Sequence, residues 1–189
     1  MLVPLSNAVL LLIDLQKAID HPSWGERNNI SAEAQIGRLL SHWRNRGWPV
    51  WHVRHDSTNP NSHYRPGQVG NDFKPDVAPV AGELIIPKRT NGAFIGTDLE
   101  QRLRAADIKA LVICGATTNH CVETTTRMAG NLGFDTRLVR DATWTFERVG
   151  PDGDAHSAEA IHTMTLSNLN GEFARIVTAA EAITSLKEM

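Results

Sequence analysis

Residues 110–121 read ALVICGATTNHC. The first five, Ala110–Cys114, are a continuous apolar run, the pattern of a β-strand covered on both faces rather than one with a wet side. Gly115 opens a turn, and a helix is expected from Asn119 to Leu132, stopped by Gly133. A buried strand feeding a helix through a short turn is the unit of a parallel sheet.

The rest of the chain repeats that unit. Ala8–Leu12 (AVLLL) is a second buried strand, followed by a helix over Ser31–Arg46 with Ser31 as its N-cap and Gly47 as its stop. Pro49–Arg54 is the next strand. Asp56–Pro79, rich in Asn, Pro, Gly and Asp, reads as a long surface loop with function attached. Glu83–Ile86 is a short strand, and Thr97-Asp98-Leu99-Glu100 is a capping box opening a helix to about Ala106. Thr136–Val139, a helix over Asp154–Asn168 and a strand at Arg175–Val177 complete the alternation. The expected fold is α/β, a mostly parallel sheet with helices on both faces, in a single domain spanning 1–189.

In such sheets ligands bind beyond the carboxyl ends of the strands. Three reactive residues fall there: Asp14 after the first strand, Lys88 after Leu84-Ile85-Ile86-Pro87, and Cys121 one turn beyond the 110–114 strand. A helix start favours a thiolate, and a nearby lysine lowers a thiol pKa further. An aspartate in the same pocket takes the thiol proton and later activates water. The 115–121 turn offers backbone N–H groups for an oxyanion. The implied chemistry is acyl transfer to sulfur, then hydrolysis. Each residue also has a plainer role: a free cysteine as a small buried hydrophobe, the aspartate as a loop or capping carboxylate, the lysine as a solvated charge. Their convergence at strand ends favours the chemistry.

Three segments carry a resemblance: Leu11-Leu12-Ile13-Asp14-Leu15-Gln16, the stretch from Lys88 to Leu99 (KRTNGAFIGTDL), and the stretch from Cys114 to Thr125 (CGATTNHCVETT). In this order the chain resembles the isochorismatase-like cysteine hydrolase superfamily over nearly its whole length. The resemblance implies a Rossmann-like three-layer sandwich around a six-stranded sheet, and an Asp–Lys–Cys triad at Asp14, Lys88 and Cys121. It also implies a cis peptide between Ala116 and Thr117, with the Thr117 and Cys121 N–H groups as oxyanion hole. Isochorismate hydrolases typically lack the cysteine. Its presence points to the amidohydrolase branch and a small-molecule amide, ureido or carbamoyl substrate. Nicotinamidases of the superfamily carry an Asp-x-His metal pattern after the second strand. Here that stretch reads His55-Asp56-Ser57, so no metal and no other cofactor is expected. His52, His55 and His63 read as loop or core histidines. An isochorismatase-type or metal-dependent nicotinamidase-type hydrolase, and a catalytically idle binding protein of the same fold, are the alternatives. The resemblance further implies a homo-oligomer.

Around the triad, Gln16, Phe94, Asn119 and His120 are the candidate pocket residues, with Trp24, Tyr64 and Phe146 at the mouth. Arg54 is a candidate carboxylate anchor, though an ion pair suits it better. Cys114 reads as core, and the lone Gly115 turn lacks the glycine spacing of a dinucleotide site.

Composition narrows the field. The chain has 189 residues, 41% hydrophobic and 21% charged, with a formal net charge of −2. That excludes a basic footprint for nucleic acid or anionic membrane, and a disordered chain. Two cysteines make no disulfide framework, and no apolar run reaches the roughly 20 residues of a membrane helix. With no basic-then-apolar leader, a reducing cytoplasm is the expected compartment.

Overall fold

The computed structural model describes residues 8–184; the ends of the expected 1–189 domain lie outside them. Strand β1 (Ala8–Ile13) is buried at every position. Its neighbours are β2 (Val50–His55) on one side and β4 (Ala110–Ala116) on the other, and both pair with it in parallel. β3 (Leu84–Lys88), β5 (Asp135–Trp144) and β8 (Arg175–Val177) complete a six-stranded sheet in the order β3-β2-β1-β4-β5-β8. Every pairing in it is parallel.

The uninterrupted apolar runs follow from what covers the sheet. Leu10 and Leu12 pack with α1 (Ala32–Asn45) and α5 (Ala179–Thr184). Val9, Leu11 and Ile13, one residue out of step, pack with α2 (Leu99–Ala105), α3 (Glu123–Asn131) and α4 (Ala158–Leu169). Successive side chains of a strand point to opposite faces, so a strand roofed on both sides is apolar throughout. Each fully buried Leu or Ile contributes roughly 1.5–3 kcal/mol. No helix among the described residues is long and apolar enough to cross a membrane.

The structure departs from the sequence reading at element ends. β5 does not stop at Val139. Ile113 lies opposite Leu138 and Gly115 opposite Thr143, so the strand bulges out and returns. Exposed Arg140 and half-buried Asp141, just beyond the expected strand end at Val139, form the bulge, and Asp141 Oδ1 accepts the Ala179 N–H at 2.8 Å. The capping box does not form. Asp98 is the N-cap, Thr97 Oγ1 donates to the Ala93 carbonyl at 2.6 Å, and Glu100 pairs with Arg104 instead. Ser31 is the N-cap of α1, but its side chain makes no capping bond. α4 starts at Ala158, capped by Ser157. Ala155–His156, expected in its first turn, is instead strand β7, paired antiparallel with β6 (Arg148–Val149) in a two-stranded ribbon. A π-type turn, Thr118–Val122, precedes α3.

Candidate active site

The strand order reverses direction between β1 and β4, and the crevice between their carboxyl ends is where open parallel sheets bind ligands. Asp14 follows β1 directly. Its backbone is left-handed (φ 53°), and its N–H bonds the Val53 carbonyl at 3.0 Å. Gly115 lets β4 approach: its φ is +120°, and a Cβ there would meet the Ile13 carbonyl oxygen at 2.2 Å. His55 ends β2 and Lys88 ends β3, at the same edge of the sheet.

The Lys88 side chain is inaccessible to solvent, and its ammonium lies among four acceptors. Its three hydrogens serve Asp14 Oδ2 at 2.7 Å, His55 Nδ1 at 2.8 Å and the Thr90 carbonyl at 3.0 Å, with Cys121 Sγ at 3.3 Å sharing them. A buried lysine keeps its charge only when paired and hydrogen-bonded, and this one is both. Asp14 Oδ1, also buried, has no hydrogen-bond partner among the described residues. The Cys121 thiol sits 3.8 Å from Asn91 Oδ1.

Opposing influences act on the thiol. Burial pushes its pKa up, the Asp14 carboxylate pushes the same way, and Lys88 opposes them. Cys121 lies in the first turn of the continuous helical segment that opens at Thr118 and runs into α3, the helix-start position expected from the sequence, which favours a thiolate. The Ala116–Thr117 peptide is cis, and the Thr117 N–H meets no protein acceptor among the described residues.

A cavity of about 350 Å³ opens over these groups, walled by Trp24, Tyr64, His63 and His120. Phe146 backs it, stacked on Trp24 at 5.5 Å. Of the four pocket candidates only His120 lines the cavity. Gln16 is fully buried: its amide accepts the His55 N–H at 2.7 Å and donates to the His55 and Asn71 carbonyls, so it ties backbone and faces no ligand. Asn119 is engaged by the Thr145 hydroxyl. Phe94 stacks on Phe134 at 6.1 Å, beside a separate surface hollow. Arg54 forms the expected ion pair, bidentate with Asp56. Cys114 is core, with its thiol pushed up by burial alone.

His55 is the residue that sequence reading missed. His52 bonds Glu83 at 2.8 Å in the core, and His63 stacks on His21 at 3.6 Å. His55 instead stands in the site. Its position at the carboxyl end of β2 was the available signal. Asp14, His55 and Cys121 also place three possible metal-ligand atoms within 4.8 Å of one another. The Lys88 ammonium already contacts all three residues, so a metal ion there would sit against a buried positive charge. The donor set does not fit one.

The isochorismatase-domain model matches residues 8–181, essentially every described residue. The chain belongs to the isochorismatase family. It is 45% identical to the isochorismatase family protein YrdC of Bacillus subtilis, over 92% of this chain and 93% of that one. An isochorismatase-family structure from Chromobacterium violaceum superimposes with a TM-score of 0.95 at 48% identity, covering 100% of both chains. Nicotinamidase 3 of Arabidopsis thaliana is 30% identical over 95% of this chain and 88% of its own length. The protein is thus an isochorismatase-family hydrolase with the three-layer fold of that family.

Proposed function

We propose that this hydrolase is a metal-independent thiol amidohydrolase acting on a small molecule. One observation carries the reading: a single buried ammonium touches both the Asp14 carboxylate and the Cys121 sulfur, beneath a cavity of small-ligand size. The nicotinamidase name of one relative points to the same bond class.

The groups divide the reaction as follows. Asp14 takes the Cys121 proton as the sulfur attacks the amide carbon. The carbonyl oxygen becomes an oxyanion facing the Thr117 and Cys121 N–H groups. As the C–N bond breaks, Asp14 returns the proton to the leaving nitrogen, and a thioester remains. Asp14 then deprotonates water, which attacks the thioester and releases the acid and the free thiol. Lys88 stays protonated throughout and offsets the negative charge that passes between carboxylate and sulfur.

The test is ammonia release from a panel of small amides, ureido and carbamoyl compounds, with and without chelator, wild type beside Cys121→Ala. Release that vanishes in the variant and ignores chelator is expected. Release that survives Cys121→Ala overturns the thiol mechanism, and release that chelator stops overturns metal independence. If no compound reacts and Cys121 alkylates no faster than a small free thiol, the catalytically idle fold is the better reading.

A further inference from the structure

We propose that His55 is a specificity-determining residue, holding its Nε2–H toward the cavity as a fixed donor for a hydrogen-bond acceptor on the substrate outside the scissile amide. The assignment deepens the amidohydrolase reading and rests on it.

Three features of the structure lead there. An ammonium has hydrogens to give and no lone pair, so at 2.8 Å Lys88 Nζ must donate and His55 Nδ1 must accept. A neutral imidazole that accepts at Nδ1 carries its proton on Nε2. The tautomer is therefore set by the lysine. Next, the ring lines the cavity, and no protein group among the described residues bonds Nε2. Nε2 is thus the ring nitrogen left to meet a substrate in that cavity. Finally, the residue is held in place. Gln16 accepts its N–H at 2.7 Å, Gln16 and Asn71 both donate to its carbonyl, and its ring meets Tyr64 edge-on at 5.5 Å. Both backbone polar groups and one ring nitrogen are thus committed, which leaves a single directional donor.

The groups around the ring keep it neutral. Burial lowers the His55 pKa, and Lys88, from β3, lowers it further. Asp14, from the end of β1, and Asp56, from the loop after β2, oppose them. A fixed N–H discriminates sharply: it rewards a carbonyl, ether or ring nitrogen, and it is left unpaired by a hydrocarbon of the same shape.

Two measurements test the proposal. The first needs no substrate: side-chain ¹⁵N NMR of the full-length protein at pH 7, with the His55 signals assigned by their loss in His55→Phe. A neutral, Nε2-protonated ring is expected, and the bias should relax in Lys88→Met. An Nδ1-protonated or doubly protonated ring overturns the proposal.

The second measurement compares benzamide with the pyridinecarboxamides, which have the same shape but carry a ring nitrogen. Binding is read as protection of Cys121 from iodoacetamide, and turnover as ammonia release. The wild type should favour at least one pyridine isomer over benzamide by roughly tenfold or more. His55→Phe, which keeps the ring against Tyr64, should erase that preference, and His55→Gln, which restores an N–H, should recover part of it. A preference absent from the wild type, or equal in wild type and His55→Phe, overturns the proposal. Protection is scored without turnover, so loss of the amidase reading through Cys121→Ala leaves the His55 result separately legible.

Discussion

Cys114 and Cys121 lie on one strand and the turn that follows it, and burial pushes both thiols up. Their company differs. Cys114 faces the α1 side of the sheet among Leu12, Ala116 and other apolar neighbours, and nothing but burial acts on it. Cys121 has an ammonium at 3.3 Å, a carboxylate within reach and a cavity above it. A buried thiol is inert unless a charge stands ready to receive its proton and another to stabilise the sulfur anion that results. Reactivity at Cys121 therefore comes from its neighbours rather than from a standing shift toward thiolate.

The largest effect that could break this contrast is on turnover. Cys121→Ala is expected to reduce ammonia release to background while leaving the melting temperature near that of the wild type. Cys114→Ala is expected to keep the activity and to lose about 1 kcal/mol of stability, a drop of roughly 2–4 °C, for the small void it leaves in the core. Equal activity in the two variants would end the distinction between the cysteines.

The next effect falls on stability. Lys88→Met removes the charge that Asp14 and Cys121 share. Breaking one side of a buried pair leaves the other uncompensated, at a cost of about 3–5 kcal/mol. Activity should fall to background as well. Adding Asp14→Asn removes the stranded carboxylate, so the double variant should regain part of the stability and none of the activity. Denaturant unfolding of the wild type, Lys88→Met, Asp14→Asn and the double variant closes the cycle. A Lys88→Met protein as stable as the wild type would show that the ammonium is not held as the geometry indicates.

Much of this was legible in the residues. Continuous apolar runs marked β1 and the core of β4, and the rule that ligands sit at strand ends brought Asp14, Lys88 and Cys121 together before any coordinate did. What escaped depends on neighbours distant in sequence. Gln16 sits two positions after Asp14, which suggested a shared direction. The chain turns into a 3-10 helix at Lys17–Asp20, and the amide is taken by backbone from β2 and the following loop. Phe94 looked like a pocket wall because it follows the lysine motif, but its partner is Phe134, forty residues on. His55 looked like a loop histidine because the lysine that fixes its ring lies thirty-three residues away. Local pattern reveals which face a residue shows, whereas the partner of a buried polar atom is set by topology.

The smallest expected effect extends the comparison from thiols to imidazoles. Burial lowers the pKa of His52, His55 and His162, outweighing Glu83 at the first, Asp14 and Asp56 at the second and Glu159 at the third. The folded state therefore prefers these rings neutral. Above the ordinary histidine value of about 6.5 the rings are neutral in both states and leave stability untouched. As pH falls below it, the unfolded chain binds protons that the fold refuses, so stability must decline with acidification from there. Melting temperatures should be level between pH 8 and about 6.5 and should drop toward pH 5. The decline should be shallower in His52→Gln, whose amide can still donate to Glu83 but cannot charge. His52 Nδ1 is buried with no hydrogen-bond partner among the described residues, so a proton placed there would find no acceptor among them. A melting temperature that rose on acidification, or a slope unchanged in His52→Gln, would mean that His52 readily accepts charge in the folded state. The reading of buried groups by their company would then hold for the cysteines and fail for this histidine.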